Sequence, residues 1–274
     1  MREYTAASLF VLEWGSEGAP VALYWDGLGG CGLHANEIAP LLLGEHGLRV
    51  IAPDPPGHGR SPSLAPDGYL PSRLAKLAAS LLSELGVDRA AFVGASWGAQ
   101  VGCSFAALFP ERTIALVLVE GGYFQPPEAG TLAACIEEAR LEAEEESFES
   151  WDAYFAYERE SLRRWTPALQ EAHRAAMREE GGRVIPILDV DGLGAIKYGN
   201  RREPAPDTYP AIAAAGVPVL LVTHRVNAAV ERFSSALPEA RVDIIEDGIH
   251  DLVSFAPAEV AELIGDFVAA QPPP

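Results

Sequence analysis

Short apolar runs and longer amphipathic stretches alternate along most of this chain. Ser8–Trp14, Pro20–Trp25, Arg49–Pro53, Ala90–Val93, Val217–Val222 and Arg241–Ile245 have strand length and are rich in branched or aromatic residues. Thr113–Val119 is an unbroken apolar run after its threonine, which predicts a strand buried on both faces. Between these runs the period changes. His34–Glu45 carries Ile38, Leu41 and Leu42, and Leu70–Leu85 sets Leu74, Leu77, Leu81, Leu82 and Leu85 along one side before Gly86. Further helices are predicted over Ala99–Leu108, Pro210–Ala215, 228–236 and Pro257–Ala269. Strands alternating with helices imply an α/β fold: a mostly parallel, doubly wound sheet with right-handed crossovers.

The alternation lapses between Tyr123 and Pro210. Residues 131–147 predict an acid-rich helix (Glu137, Glu138, Glu142, Glu144, Glu145, Glu146), whose charges suit a solvated face. Residues 148–165 concentrate Phe148, Trp151, Tyr154, Phe155, Tyr157 and Trp165. That density suits either a lid over an apolar pocket or the small core of a helical subdomain. A helix is expected over 167–180, and Gly181–Pro206 reads as turns. The expected organisation is therefore a core of residues 1–122 and 211–274, with a helical cap of residues 123–210 inserted into it.

Composition narrows the classes. Hydrophobic residues make up 49% of 274, enough for a large core. Twenty Lys and Arg against 39 Asp and Glu leave a net charge of −19, the wrong sign for nucleic acid or an anionic membrane. Cys31, Cys103 and Cys135 lack metal-ligand spacing and cannot all pair, which suits free thiols in a reducing compartment. Met1–Thr5 has no apolar signal character, and no stretch approaches the ~18 apolar residues of a membrane helix. A cytoplasmic protein is expected, with a small-molecule substrate as its partner and a homodimer left open.

The candidate chemistry centres on Gly94-Ala95-Ser96-Trp97-Gly98, between a predicted strand and a predicted helix. A G-x-S-x-G in that setting is a nucleophile elbow, a turn so tight that the serine hydroxyl stands above the sheet. Side chains at the two glycines would collide. Upstream, Asp26-Gly27-Leu28-Gly29-Gly30 follows a strand and can bring main-chain N–H groups close to a ligand. It has neither G-x-G-x-x-G spacing nor a Walker lysine, so with a serine elbow downstream it reads as an oxyanion loop. In Asp54-Pro55-Pro56-Gly57-His58-Gly59-Arg60-Ser61, Asp54 and Arg60 are expected to pair, and His58 to be structural.

With Asp247-Gly248-Ile249-His250, these motifs fall in the order of the α/β-hydrolase fold superfamily, which the chain resembles throughout except in the cap. The resemblance implies Ser96 as nucleophile, His250 as general base and then acid, and an oxyanion hole from the N–H groups of Leu28 and Trp97. It implies no metal and no organic cofactor. His224 would be a pocket wall or a supporting residue. Many relatives open the oxyanion loop with His-Gly; here Asp26 stands in that place.

The acid departs from the usual pattern. Its common position, after the strand Val217–Val222, holds Asn227. A neutral amide cannot stabilise imidazolium, and that change costs on the order of 10⁴ in turnover. Glu120 ends the strand after the elbow strand, and some relatives, including haloalkane dehalogenases and certain lactone hydrolases, draw their acid from there. Strand ends of a parallel sheet open on one edge, so Glu120 is the preferred acid. Asn227 or no acid, and a cap or loop aspartate such as Asp191, are the alternatives. The expected activity is hydrolysis of a small, fairly apolar ester or lactone through an acyl-enzyme. A serine nucleophile argues against dehalogenase and epoxide hydrolase chemistry. The elbow Gly-x-Ser-Trp-Gly also resembles that of proline iminopeptidases, so an aminopeptidase is one alternative and a carbon–carbon bond hydrolase another. Asn227 keeps open a non-catalytic, ligand-binding member of the fold.

Overall fold

In a computed structural model, which describes residues 1–128 and 130–271, ten strands and eleven α-helices form. The strands are β1 (Arg2–Ala6), β2 (Leu9–Trp14), β3 (Val21–Trp25), β4 (Arg49–Pro53), β5 (Ala90–Ala95), β6 (Thr113–Val119), β7 (Met177–Glu180), β8 (Arg183–Pro186), β9 (Val219–Thr223) and β10 (Arg241–Ile244). The helices are α1 (Ile38–His46), α2 (Pro71–Glu84), α3 (Trp97–Leu108), α4 (Leu132–Glu145), α5 (Trp151–Leu162), α6 (Pro167–Ala176), α7 (Val190–Arg202), α8 (Tyr209–Ala215), α9 (Ala228–Ala236), α10 (Leu252–Phe255) and α11 (Pro257–Ala269).

Every residue of β3, β4, β5, β6 and β9 is buried, as strands covered on both faces require. Alternate residues serve opposite layers. Leu23, Trp25, Phe92, Leu116 and Leu118 pack with Leu74, Phe105 and Ile212 of α2, α3 and α8. Ala22, Tyr24, Val93, Val117 and Leu220 pack with Ile38 and Leu42 of α1 and Val260 and Ile264 of α11. The eight-stranded sheet runs β1-β2-β4-β3-β5-β6-β9-β10, parallel from β4 onward, with β1 and β2 antiparallel at one end. The strand at Arg2–Ala6 is absent from the sequence expectation because its residues are mostly polar and exposed.

The order reverses at β3 and β5. The chain visits β4 on one side of β3 before returning to β5 on the other, and Trp25 pairs with Gly94. Such a switch point opens a crevice beyond the carboxyl ends of the strands. Here the Asp26–Gly30 loop and Ser96 meet.

Between β6 and β9 the chain leaves the sheet. Lys197 on α7 reaches Glu142 and Glu138 on α4 at 2.7 and 3.2 Å, and Arg201 reaches Glu138 at 2.7 Å. Gly194 permits the close approach of the two helices, since a Cβ there would meet the Cα of Ile136 at 2.6 Å. The acid-rich helix is thus partly a docking face rather than wholly solvated; the side chains of Glu144 and Glu145 lie outside the described residues. Two further expectations change. The helix over 167–180 stops at Ala176, where Met177–Glu180 and Arg183–Pro186 form an antiparallel hairpin around Gly181-Gly182. Val190–Arg202, read as turns because of its three glycines, is a helix capped by the Asp189 side chain. Tertiary packing overrides weak helix propensity there. The aromatic stretch serves both suggested purposes. Phe155, Trp151 and Trp165 join a small core with Met177 and Val184, while Phe148, Tyr154 and Tyr157 line a cavity against the sheet edge. Arg164 ties this region to the sheet domain through a two-pronged contact with Glu37, at 2.7 and 2.9 Å. None of the described helices is long and apolar enough to cross a membrane.

Candidate active site

Ser96 stands between β5 and α3 with φ +48° and ψ −111°, a strained conformation for a residue with a side chain. Neighbours enforce it. Its N–H donates to the Val119 carbonyl at 2.8 Å. A Cβ on Gly94 would meet the Gly98 carbonyl carbon at 2.5 Å, and one on Gly98 would strike the Trp25 carbonyl oxygen. Gly121, unremarked in the sequence, is a third such position, where a Cβ would strike the Ser96 carbonyl oxygen. The hydroxyl is thereby held above the sheet at the N-terminus of α3, whose unpaired N–H groups favour negative charge.

Ser96 Oγ lies 2.8 Å from His250 Nε2. His250 sits in the loop after β10, and Gly248 lets that loop lie against His224: a Cβ on Gly248 would meet His224 Cβ at 3.0 Å. On the far side of the His250 ring, Nδ1 is 3.7 Å from Glu120 Oε2. Glu120 ends β6 with φ +52° and is only 1% exposed. Burial pushes its pKa up, but hydrogen bonding to His250 and His224 outweighs burial and holds it below the usual carboxylate range. Tyr123 donates to Oε2 at 3.0 Å. The structure therefore brings Ser96, His250 and Glu120 together.

The nearest partner of Glu120 is His224. Its Nδ1 lies 2.8 Å from Oε1, and its main-chain N–H donates to the same oxygen. Sequence reasoning left His224 without a defined contact, since nothing in its spacing shows that β9 ends beside β6. Asn227 is engaged elsewhere: its Oδ1 caps α9, accepting from Ala229 and Val230 N–H at 2.9 and 3.1 Å. Asp191 lies in the first turn of α7 and lines a neighbouring recess.

The loop after β3 approaches Ser96 closely. A Cβ on Gly27 would sit 3.1 Å from Ser96 Cβ. The Gly27 N–H is taken by Asp26 Oδ1 at 2.8 Å, and Leu28 lines the cavity onto which Ser96 opens. Asp26 is buried, accepts from Tyr24 Oη at 2.8 Å, and pairs with His34 Nδ1 at 2.8 Å. Burial opposes both charges, yet each partner stabilises the other, so the Asp26 pKa falls and the His34 pKa rises well above its usual value. The charge that Asp26 brings to this loop is thus cancelled locally, a pairing that 8 residues of separation gave no reason to expect.

His58 is 1% exposed, and its ring stacks on Trp97 at 5.5 Å, with Nδ1 3.0 Å from the Pro56 carbonyl. Burial lowers its pKa to about 4, which leaves it neutral. Asp54 does hold its loop, but through main-chain donors: Arg60 N–H and Gly32 N–H, each at 2.8 Å. The Arg60 guanidinium turns away to Glu3 and the face of Phe10.

Ser96 and His250 open into a cavity of about 770 Å³. The sheet domain supplies one wall, including Leu28, Val119 and Leu252; the inserted helices supply the other, including Tyr154, Glu158 and His173. Among the described residues, no group of three or more His, Cys, Asp or Glu is arranged to hold a metal ion. His250 Nε2 is placed to accept the Ser96 hydroxyl proton at the mouth of this cavity.

Comparison with known proteins agrees with this architecture. A family profile described as alpha/beta hydrolase fold matches residues 23–148. "Putative carbamate hydrolase RutD" of Pseudomonas syringae pv. syringae (strain B728a) is 26% identical over 262 residues, covering 93% of this chain and 95% of that protein. Among solved structures, the thioesterase domain from the curacin biosynthetic pathway superposes with a TM-score of 0.76 at 22% identity, covering 96% of this chain and 98% of that one. The enol-lactonase from Burkholderia xenovorans LB400 has a TM-score of 0.72 at 19% identity, covering 98% of this chain and 100% of that one. At those identities the two structures speak for the fold alone.

Proposed function

We propose that this chain, which has the alpha/beta-hydrolase fold, is a serine hydrolase that cleaves a small, fairly apolar carboxylic ester or lactone through an acyl-enzyme. The observation that carries the reading is the 2.8 Å contact between Ser96 Oγ and His250 Nε2, with Glu120 behind the imidazole. His250 takes the Ser96 proton as Oγ attacks the carbonyl carbon. The oxyanion is received by the N–H groups of Leu28 and Trp97, each donor contributing about 3 kcal/mol of transition-state stabilisation. His250 then protonates the leaving alkoxide, and a water activated by the same ring releases the acid. Glu120 holds Nδ1–H and stabilises the imidazolium. Glu120 Oε2 stands 3.7 Å from Nδ1, and such contacts tighten in the Michaelis complex. No step calls for a metal or an organic cofactor.

The cavity wall of Leu28, Val119, Phe148 and Leu252 suits a small, fairly apolar acyl group. The test is a fluorophosphonate probe followed by a panel of p-nitrophenyl esters, lactones and prolyl anilides. Labelling of Ser96 with ester or lactone turnover is the expected result. Turnover of the anilide alone would move the assignment to an aminopeptidase. Absence of labelling in the folded protein would leave a ligand-binding protein.

A further inference from the structure

One wall of the cavity is a poor match for an apolar acyl group. Glu158 on α5 is mostly buried, with only a fifth of its side chain exposed. Asp251, beside His250, faces the same space. Among the described residues no lysine or arginine lines this cavity. Asp26 already has its counter-charge in His34. Asp251 spends Oδ1 on the Ser254 N–H that it caps, at 3.1 Å, and has Arg164 near by. Glu158 has imidazole and hydroxyl neighbours in His173 and Tyr154, and a carboxyl taken out of water without a cation in contact is costly.

His173 on α6 adds an independent observation. It is 7% exposed, lines the same wall, and its Nε2 has no hydrogen-bond partner. Its Nδ1 is 3.1 Å from Tyr154 Oη and 3.8 Å from Glu158 Oε2. Nε2 is thus a buried polar atom without a protein partner on the cavity wall. In the tautomer that protonates Nδ1, this nitrogen adds a free lone pair to the wall that holds the Glu158 carboxyl.

We propose that Glu158, His173 and Asp251 form a subsite for a protonated amine, so that the substrate cleaved at Ser96 carries an ammonium group. An ammonium offers three N–H donors and one positive charge, which is what these acceptors lack. A carboxylate in the same place would meet like charge. The proposal rests on the reading of Ser96 as nucleophile, but its binding half does not.

The subsite has a protonic signature. The groups around Glu158 are Tyr154 on its own helix, His173, His34, Asp251 and Glu146. Burial first, then the charge of Asp251, raises the Glu158 pKa to about 7. A bound ammonium favours the ionised carboxylate. It therefore expels a proton near neutral pH, and its affinity rises as pH climbs through about 7 and levels off above.

Two arms test this on the full chain. In the first, n-butylammonium and butyrate are titrated by calorimetry in buffers of different ionisation enthalpy. Saturable binding of butylammonium with proton release at pH 7 is expected, weakened about 30-fold or more in Glu158→Gln. Butyrate binding as tightly, or butylammonium binding without proton release, would overturn the subsite; the wild-type measurement suffices if the variant folds poorly. In the second, p-nitrophenyl esters of 6-aminohexanoate, hexanoate and adipate are compared. The expected order of kcat/KM is cationic, neutral, anionic, and the cationic-to-neutral ratio collapses in Glu158→Gln. Neutral turnover with no cationic preference rejects the subsite and leaves the hydrolase standing. Proton-releasing amine binding without turnover of any ester rejects the hydrolase and leaves the subsite standing.

Discussion

The sheet edge and the inserted helices face one another across a single cavity, and they hold their side chains by different means. On the sheet side, position follows from the backbone. Ser96 and Glu120 end adjacent parallel strands, both at positive φ, and Ala95 pairs with Val119 just before them. On the inserted side, position follows from side-chain packing. Tyr154 and His173 are placed by aromatic neighbours such as Phe148, Trp165 and Phe155, and by ion pairs such as Arg164–Glu37. In the proposed hydrolase, the serine and the acid that need tight placement sit on the first, and the groups proposed to select a ligand sit mostly on the second. A strand register cannot slip by one residue without turning the core outward, whereas a packed helix can repack.

That contrast can be broken experimentally, beginning where the effect is largest. Ser96→Ala should lower kcat by about 10⁶-fold while leaving the thermal midpoint near that of the parent, measured by ester turnover and calorimetry. Glu120→Gln should cost about 10⁴-fold in kcat, because a neutral amide no longer stabilises the imidazolium. An equally large loss in Asn227→Ala with none in Glu120→Gln would reverse the assignment of the acid.

The two smaller effects concern stability. His58 is neutral in the folded protein, with its pKa lowered to about 4 by burial, and titrates near 6.5 when unfolded. The unfolded chain therefore binds the extra proton first. The contribution of neutral His58 is full above pH 6.5 and is lost as pH falls to about 4, an effect of about 3 kcal/mol. Denaturant midpoints of the parent should fall across that window more steeply than those of His58→Gln. Last, Asn227→Ala should cost about 1 kcal/mol through the lost cap of α9, with kcat little changed. A large activity loss there would mean that the β9 loop positions His224 and hence Glu120.

The motifs around Ser96 were legible because their chemistry is local. A strand, a tight turn and a helix in succession place a serine hydroxyl whatever the rest of the chain does, and the glycines that permit it stand two residues either side. The alternation of short apolar runs with amphipathic stretches likewise pointed to a parallel sheet, since strands buried on both faces read as short, nearly continuous apolar runs. The place of Glu120 beside His250 was legible only in part. Its place at the end of a buried strand follows from the sequence, but its sharing between His250 and His224 depends on β6 and β9 being neighbours, which strand order alone decides. The pairings of Asp26 with His34 and of Glu138 with Lys197 and Arg201, the hairpin at Gly181-Gly182, and the meeting of Glu158, His173 and Asp251 were not legible at all. Each joins residues through tertiary packing, where long-range contacts override weak local preferences, so what the inserted helices present to Ser96 is set by the folded molecule rather than by any motif in the chain.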